Sequence, residues 1–348
     1  MIEAENLIKP SPVNCQPSTV NCQPSIEVLD FDKDGQDEII LTNKNFNIYA
    51  KPSYGGALTE IDFKPICCNL TDVLTRRFES YHKKIDIAVL KSDVAHKKLE
   101  TIHGVYYTKE LELQKYLKYD WYNRYSLIDH FFHPATTVEK FADCEYGELG
   151  DFVNQPYEYV ADASAPTGLQ RREARSKKQE VILSRDGHLW TENGALPIQV
   201  VKSIIFADSG MIVRYKITNN SPFEKEMWFG SEFNFAFSNP DDENCFYKTE
   251  NRKEKFNTKT CFEKTSLLKI SDKNLNLNLN LTSSDLFDFW VFPIWTISLS
   301  EGGFEKTYQG SSVTPNKKIF LKSKEMYEFE IKISANKMTL LPKAKVSH

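Results

Sequence analysis

The 348-residue sequence has no apolar run approaching the ~20 residues needed to span a bilayer, and its start lacks the basic segment and apolar stretch of a secretory signal. No membrane partner is expected, and the cytoplasm is the compartment these absences imply. Regular Cys-x-x-Cys spacing is missing too. The seven cysteines are odd in number and irregular in position, which argues against a disulfide framework or a zinc site; Cys67 and Cys68, side by side, read as packing residues. Nor is there an excess of one charge. The 44 basic and 48 acidic residues leave a net −4, too weak a field to single out nucleic acid or an anionic surface as partner. A Gly-rich phosphate loop, a Gly-x-Ser-x-Gly elbow and an aromatic-basic alternation are all lacking.

What is present suits a globular chain. Hydrophobic residues make up 41% and charged residues 26%, and a chain of this length buries roughly three quarters of its unfolded surface. Residues 13–26 hold a tandem heptad, VNCQPST then VNCQPSI, whose Pro and Ser content opposes helix and sheet. We read residues 1–25 as a flexible tail, consistent with a translated short DNA repeat or with an inconsequential leader, and 26–340 as one domain. Beyond the tail, strand signals dominate: IEVLDF, DEIILTN, QEVILSRD, QVVKSIIFA, MIVRYKITN, EMWFGSEFNFAF, LNLNLNL, KIFLKS and MYEFEIKIS are β-branched or aromatic and bounded by turn residues. Such a series predicts a large antiparallel two-sheet β-sandwich. Gly55-Gly56 suits a positive-φ turn before a strand through Leu58–Lys64. DSG at 208–210 and TNNSPFE at 218–224 read as hairpins, and 241–264 as an insertion loop. One short helix is expected near 69–86, with Leu70, Val73, Leu74, Phe78, Tyr81 and Ile85 on its apolar face and Arg76 and Arg77 exposed. A second helical piece is possible near 109–119.

Several residues could carry chemistry. Asp30, Asp32 and Asp34 alternate ahead of Gly35 and Glu38, a spacing that aims carboxylate oxygens at one hard cation, so Ca²⁺ held by Asp30, Asp32, Asp34 and Glu38 is expected. An acidic turn between strands is the plain alternative. Glu145, Glu148, Asp151 and Glu158 cluster with Asn154 and Tyr157; two carboxylates could act on a glycosidic bond, or Asp151 and Asn154 could bind sugar hydroxyls. His130 and His133 share an H-x-x-H spacing that is weak for a metal, and Arg124, Asp129 and His130 could form one hydrogen-bonded cluster. Of the five tryptophans, four read as core residues, while Trp121, among Tyr119, Tyr122 and Tyr125, is the candidate sugar platform.

The order of a Gly-Gly turn, an acidic strand, NLTDVLTRR and ExYH within 53–82, followed by YNRYSLIDHFF at 122–132, ELGDFVNQPYE at 148–158, FGSEFNFAFS at 229–238 and GGFEKTYQGSS at 302–312, resembles the C-terminal β-sandwich domain of family-57 glycoside hydrolases, the α-amylase and 4-α-glucanotransferase group. The resemblance implies a fold similar to galactose mutarotase and a domain that works beside a catalytic barrel not recognisable in this sequence. It therefore implies a non-catalytic accessory domain that binds or covers an α-glucan or maltooligosaccharide together with a separate family-57 barrel. Trp121, Arg124, His130, Asp151 and Asn154 are then the candidate glucan contacts, and Arg76 with Arg77 a candidate docking face. The alternatives are a free-standing, mutarotase-like sugar enzyme using His130 and a carboxylate, or the remnant of a split gene.

Overall fold

The computed structural model describes residues 24–87, 89–90, 107–110, 112–161, 180–192, 194–207 and 209–338; the heptad repeat up to residue 23 lies outside them. Strands Ser25–Leu29, Glu38–Thr42, Phe46–Lys51, Ala57–Phe63 and Cys68–Asn69 form a five-stranded antiparallel sheet in sequence order. Apolar side chains at Ile39, Leu41, Ile48 and Ile61 leave this sheet to meet Val200, Val213, Ile217 and Ile331 of a 14-stranded sheet in one continuous core. Each such side chain, fully withdrawn from water, contributes about 1.5–3 kcal/mol, so the two sheets are held mainly by their inner faces. This is the expected two-sheet, almost wholly antiparallel sandwich. No helix among the described residues is long and apolar enough to cross a membrane.

The larger sheet divides at the strand Leu277–Ser300. Its first part, Leu277–Ser283, pairs with Met326–Lys337, whereas Asp288–Ser300 pairs with Gly303–Leu321. Ser284, Asp285 and Leu286 between them are exposed and interrupt the in-out alternation, which lets one strand serve two arms. The second arm continues from Gly303–Leu321 to Lys225–Phe235 and then Ile128–Phe132. The Gly55-Gly56 turn has the expected positive φ, +65° and +51°. A Cβ on Gly55 would stand 2.3 Å from the Val153 carbonyl oxygen, so glycine permits the first sheet to touch the 152–155 loop.

Four local expectations are corrected. Residues 72–79 are not helical, and only Ser80–Ile87 forms a 3-10 helix. Tertiary hydrogen bonds take the backbone instead: Leu70 N–H donates to Ile61 O, Ala236 N–H to Leu70 O, and Arg76 N–H to Asp120 Oδ2, which outweighs a weak helical preference. Burial consequently departs from the expected faces at three positions, with Leu74 59% and Phe78 53% exposed and Arg76 buried, while Leu70 and Ile85 are buried and Arg77 exposed as expected. The 218–224 segment is no hairpin, because Gly210–Asn219 pairs with Met326–Lys337 and Lys225–Phe235 with Gly303–Leu321; it carries the chain between the sheet's two arms. The 241–264 stretch holds the paired strands Cys245–Lys248 and Lys253–Lys255 and the start of Thr260–Asp272. Finally, Trp190 is exposed and does not belong to the core, whereas Trp290 does. The DSG expectation holds in outline, Ala207 pairing with Gly210. Near 109–119, Leu113–Tyr116 forms a 3-10 turn, and Val138–Ala142 adds a short α-helix capped by the Thr137 side chain.

Candidate functional site

The strand Lys225–Phe235 carries two glutamates, Glu226 exposed near its start and Glu232 buried in the middle of an apolar run. A buried carboxylate is tolerated only with charged and hydrogen-bonding partners, and Glu232 is surrounded by them. Its Oε1 accepts from Arg124 Nη1 at 2.6 Å and Asn234 Nδ2 at 2.9 Å, and its Oε2 from the Tyr122 hydroxyl at 2.7 Å, with His130 Nε2 at 2.9 Å. Arg124 Nη2 also donates to Asp120 Oδ1 at 2.6 Å, which Arg76 Nη2 reaches at 2.5 Å. On the other side, His130 Nδ1 is 2.8 Å from Glu148 Oε2. Arg76, Arg124 and His130 thus face Asp120, Glu232 and Glu148, three cations against three anions.

The electrostatics follow from this arrangement. Burial alone would lower the His130 pKa, but Glu148 and Glu232 outweigh it and raise the group to about 9, so the imidazolium donates from both nitrogens. Burial would raise Glu232, but Arg124 and His130 hold it down at about 2. The same competition, won by Arg124 and Arg76, leaves Asp120 well below the ordinary carboxylate range.

Asp129 does not join this cluster, contrary to one expectation. Adjacent residues of a strand point to opposite faces, and Asp129 faces Lys202 Nζ at 2.9 Å and the hydroxyls of Tyr157 and Tyr215 at 2.6 and 2.7 Å. Burial lowers the Lys202 pKa against the pull of Asp129.

In front of the first network lies a cleft of about 600 Å³, within the range of small-molecule sites, lined by 73–77, Glu79, Tyr81, His82, 116–118, Asn123, Tyr125 and parts of 296–309. Arg77 Nη2 donates to Asn123 Oδ1 at its wall. Leu74, Phe78 and Tyr119 are exposed beside it, with the Phe78 and Tyr119 rings 5.8 Å apart. Among the described lining residues Glu79 is the only carboxylate, so these residues do not assemble the two-carboxylate arrangement of glycoside hydrolysis there.

The sequence candidates distribute as follows. Arg124 and His130 are inside the protein, 1% and 0% exposed, with both Arg124 Nη groups and both His130 ring nitrogens held by carboxylates and Arg124 Nε buried without a hydrogen-bond partner; neither side chain reaches the surface. Arg76 is likewise buried and paired, which corrects its docking role, while Arg77 stays exposed. The acidic cluster does not converge: Glu148 binds His130, Glu145 pairs with Lys118, and Asp151 receives Arg185 Nη2 and the His188 N–H. Asn154 Oδ1 accepts from the neighbouring Gln155. Trp121 is 48% exposed and packs edge-on against Tyr122. Missed from sequence were Glu232 and Asp120; a single glutamate inside FGSEFNFAF was the available signal, since such a position demands a partner.

At the first sheet, Lys51 Nζ occupies the centre of the proposed cation loop, 2.5 Å from Asp32, 2.7 Å from Asp34 and 2.9 Å from Glu38. Burial opposes its charge, but the three carboxylates prevail and raise its pKa. Asp30, Asp32 and Glu38 present oxygens within 4.8 Å of one another, and Asp30 Oδ1 is buried without a hydrogen-bond partner. In this structure the Lys51 ammonium is the cation that the Asp32, Asp34 and Glu38 carboxylates face.

Comparison with known proteins agrees with this architecture. The chain is 32% identical over 288 residues to the 4-alpha-glucanotransferase of Thermococcus litoralis, covering 83% of this chain and 38% of that protein. It is 30% identical over 318 residues to alpha-amylase 1 of Dictyoglomus thermophilum, covering 90% and 40% respectively. The chain thus spans about two fifths of the length of these curated relatives. The crystal structure of the Thermococcus litoralis 4-alpha-glucanotransferase superposes with a TM-score of 0.68 at 28% identity, over 90% of this chain and 39% of that one. A galactose mutarotase-like protein from Clostridium acetobutylicum matches 92% of this chain and all of its own with a TM-score of 0.51 at 11% identity, a likeness of fold alone. Residues 30–332 match the family described as "Alpha-amylase/4-alpha-glucanotransferase, C-terminal", and the chain belongs to that family.

Proposed function

We propose that the chain is the non-catalytic accessory part of an α-amylase/4-α-glucanotransferase-type enzyme of the cytoplasm, docking on a family-57 catalytic barrel and helping to cover or extend its α-glucan cleft. The observation that carries this reading is the exposed apolar group of Leu74, Phe78 and Tyr119, beside a cleft with a single carboxylate among its described lining residues. Exposed apolar area of this kind is a common mark of a binding surface, and the buried ion network behind it fixes its backbone. In test, the purified chain should not turn over maltooligosaccharides. Mixed with the catalytic portion of a relative, it should co-elute on size exclusion, and Phe78→Glu with Leu74→Glu should abolish co-elution. Turnover by the chain alone, or co-elution unaffected by both substitutions, overturns the reading.

A calcium ion at Asp30, Asp32, Asp34 and Glu38 belongs to the same proposal as a stabilising ligand. An ion bound only by the folded state stabilises it by mass action. Millimolar calcium is expected to raise the melting temperature, Asp32→Ala to abolish the rise, and Lys51→Met to enlarge it by removing the competing ammonium. Calorimetry with and without chelator checks this; identical melting with and without calcium in all three proteins removes the metal.

A further inference from the structure

A second groove of about 420 Å³ opens where the hairpin of Glu180–Thr191 and Gly194–Ala207 meets the start of Lys225–Phe235, and it shares no lining residue with the first cleft. Trp190 lines it with its indole 57% exposed. Trp228 is fixed by donating Nε1–H to Asn316 Oδ1 at 2.9 Å and by packing on Trp290 at 5.2 Å. Lys318 Nζ lies 4.9 Å from the Trp228 ring centroid. The pairings Trp228↔Lys318 and Glu226↔Phe320 put Phe320, 55% exposed, next along the same face. The indole left open is therefore that of Trp190.

We infer that this groove is a separate binding site for a neutral, α-linked glucose oligosaccharide, the α-linkage resting on the accessory-domain reading above. Charge selects the class. Lys225 and Lys318 balance Glu192 and Glu226 in the lining, so an anionic ligand would meet two carboxylates and a cationic one two ammonium groups. A purely apolar ligand would desolvate all four. A pyranose avoids both penalties: its C–H face lies on the Trp190 indole, while its hydroxyls can exchange hydrogen bonds with the lysines, glutamates and His133 at the rim.

Titration calorimetry with maltoheptaose tests it on the chain as it stands. Wild type is expected to bind. Trp190→Ala, at an exposed position, should weaken binding roughly tenfold or more, the equivalent of about 1.4 kcal/mol, with an unchanged melting temperature. Leu286→Ala, exposed but outside both clefts, should leave affinity unchanged. No binding by wild type at millimolar sugar, equal affinity in Trp190→Ala, or preference for cellohexaose overturns the site as assigned. Co-elution with the catalytic portion does not involve Trp190, so failure here is distinguishable from failure of the accessory reading.

Discussion

Replacing Arg124 by methionine is expected to destabilise the fold by about 3–5 kcal/mol, the usual cost of removing one member of a buried ion network. The substitution keeps the volume of the aliphatic stem but leaves Glu232 with only His130 as a cationic partner and Asp120 with only Arg76. Folded domains have about 5–15 kcal/mol in total, so the loss should be plain as a lowered urea midpoint at neutral pH. Arg214 offers the contrast. It pairs with Glu330 on the surface, where solvent screening limits such a pair to about 0–1 kcal/mol; Arg214→Ala should barely move the midpoint. Equal effects of the two substitutions would mean that the network contributes no more than a surface pair.

Stability is also expected to fall between about pH 6.5 and 9. His130 is held at about 9 in the folded protein against an ordinary 6.5. A folded-state pKa raised above the unfolded one gives stability that is fully present below 6.5 and is lost as pH rises through about 9. That gap corresponds to about 3 kcal/mol. Glu232 acts in the opposite sense: held at about 2 against an ordinary 4.5, it gives stability present above 4.5 and lost as pH falls through about 2. Both reflect partly the same contact, so the contributions do not add. Urea midpoints at pH 6, 7.5 and 9 should decline in the wild type and flatten in His130→Gln, whatever that substitution does to the absolute midpoint. A wild-type midpoint constant over this range would show that the His130 charge is not coupled to folding.

Hydrolysis or transfer at a glycosidic bond asks for two carboxylates at a controlled separation. Here Glu145, Glu148 and Asp151 take separate partners, Lys118, His130 and Arg185, and Glu158 is exposed. Phe78, Tyr119, Trp121 and Trp190 stay exposed.

Much of this architecture was legible in the sequence because a half-buried strand writes a period of two into its residues. The runs IEVL, EIILT and MIVRYKITN became strands in both sheets, and Gly55 and Gly56 took the positive φ that glycine alone adopts cheaply. The five ordered motifs sufficed for family membership. Only the tertiary structure decided which charges are inside. Arg76 and Leu74 differ by two residues, and local periodicity put them on the wrong sides because it assumes that backbone groups bond within their own segment. Asp120, 44 residues further on, supplies the partner for Arg76, and Glu232, 108 residues from Arg124, supplies the counter-charge that lets Arg124 be buried. Such pairings depend on which strands the sandwich brings together, and so do the separation of Asp129 from His130 and the emergence of Trp190 beside Trp228.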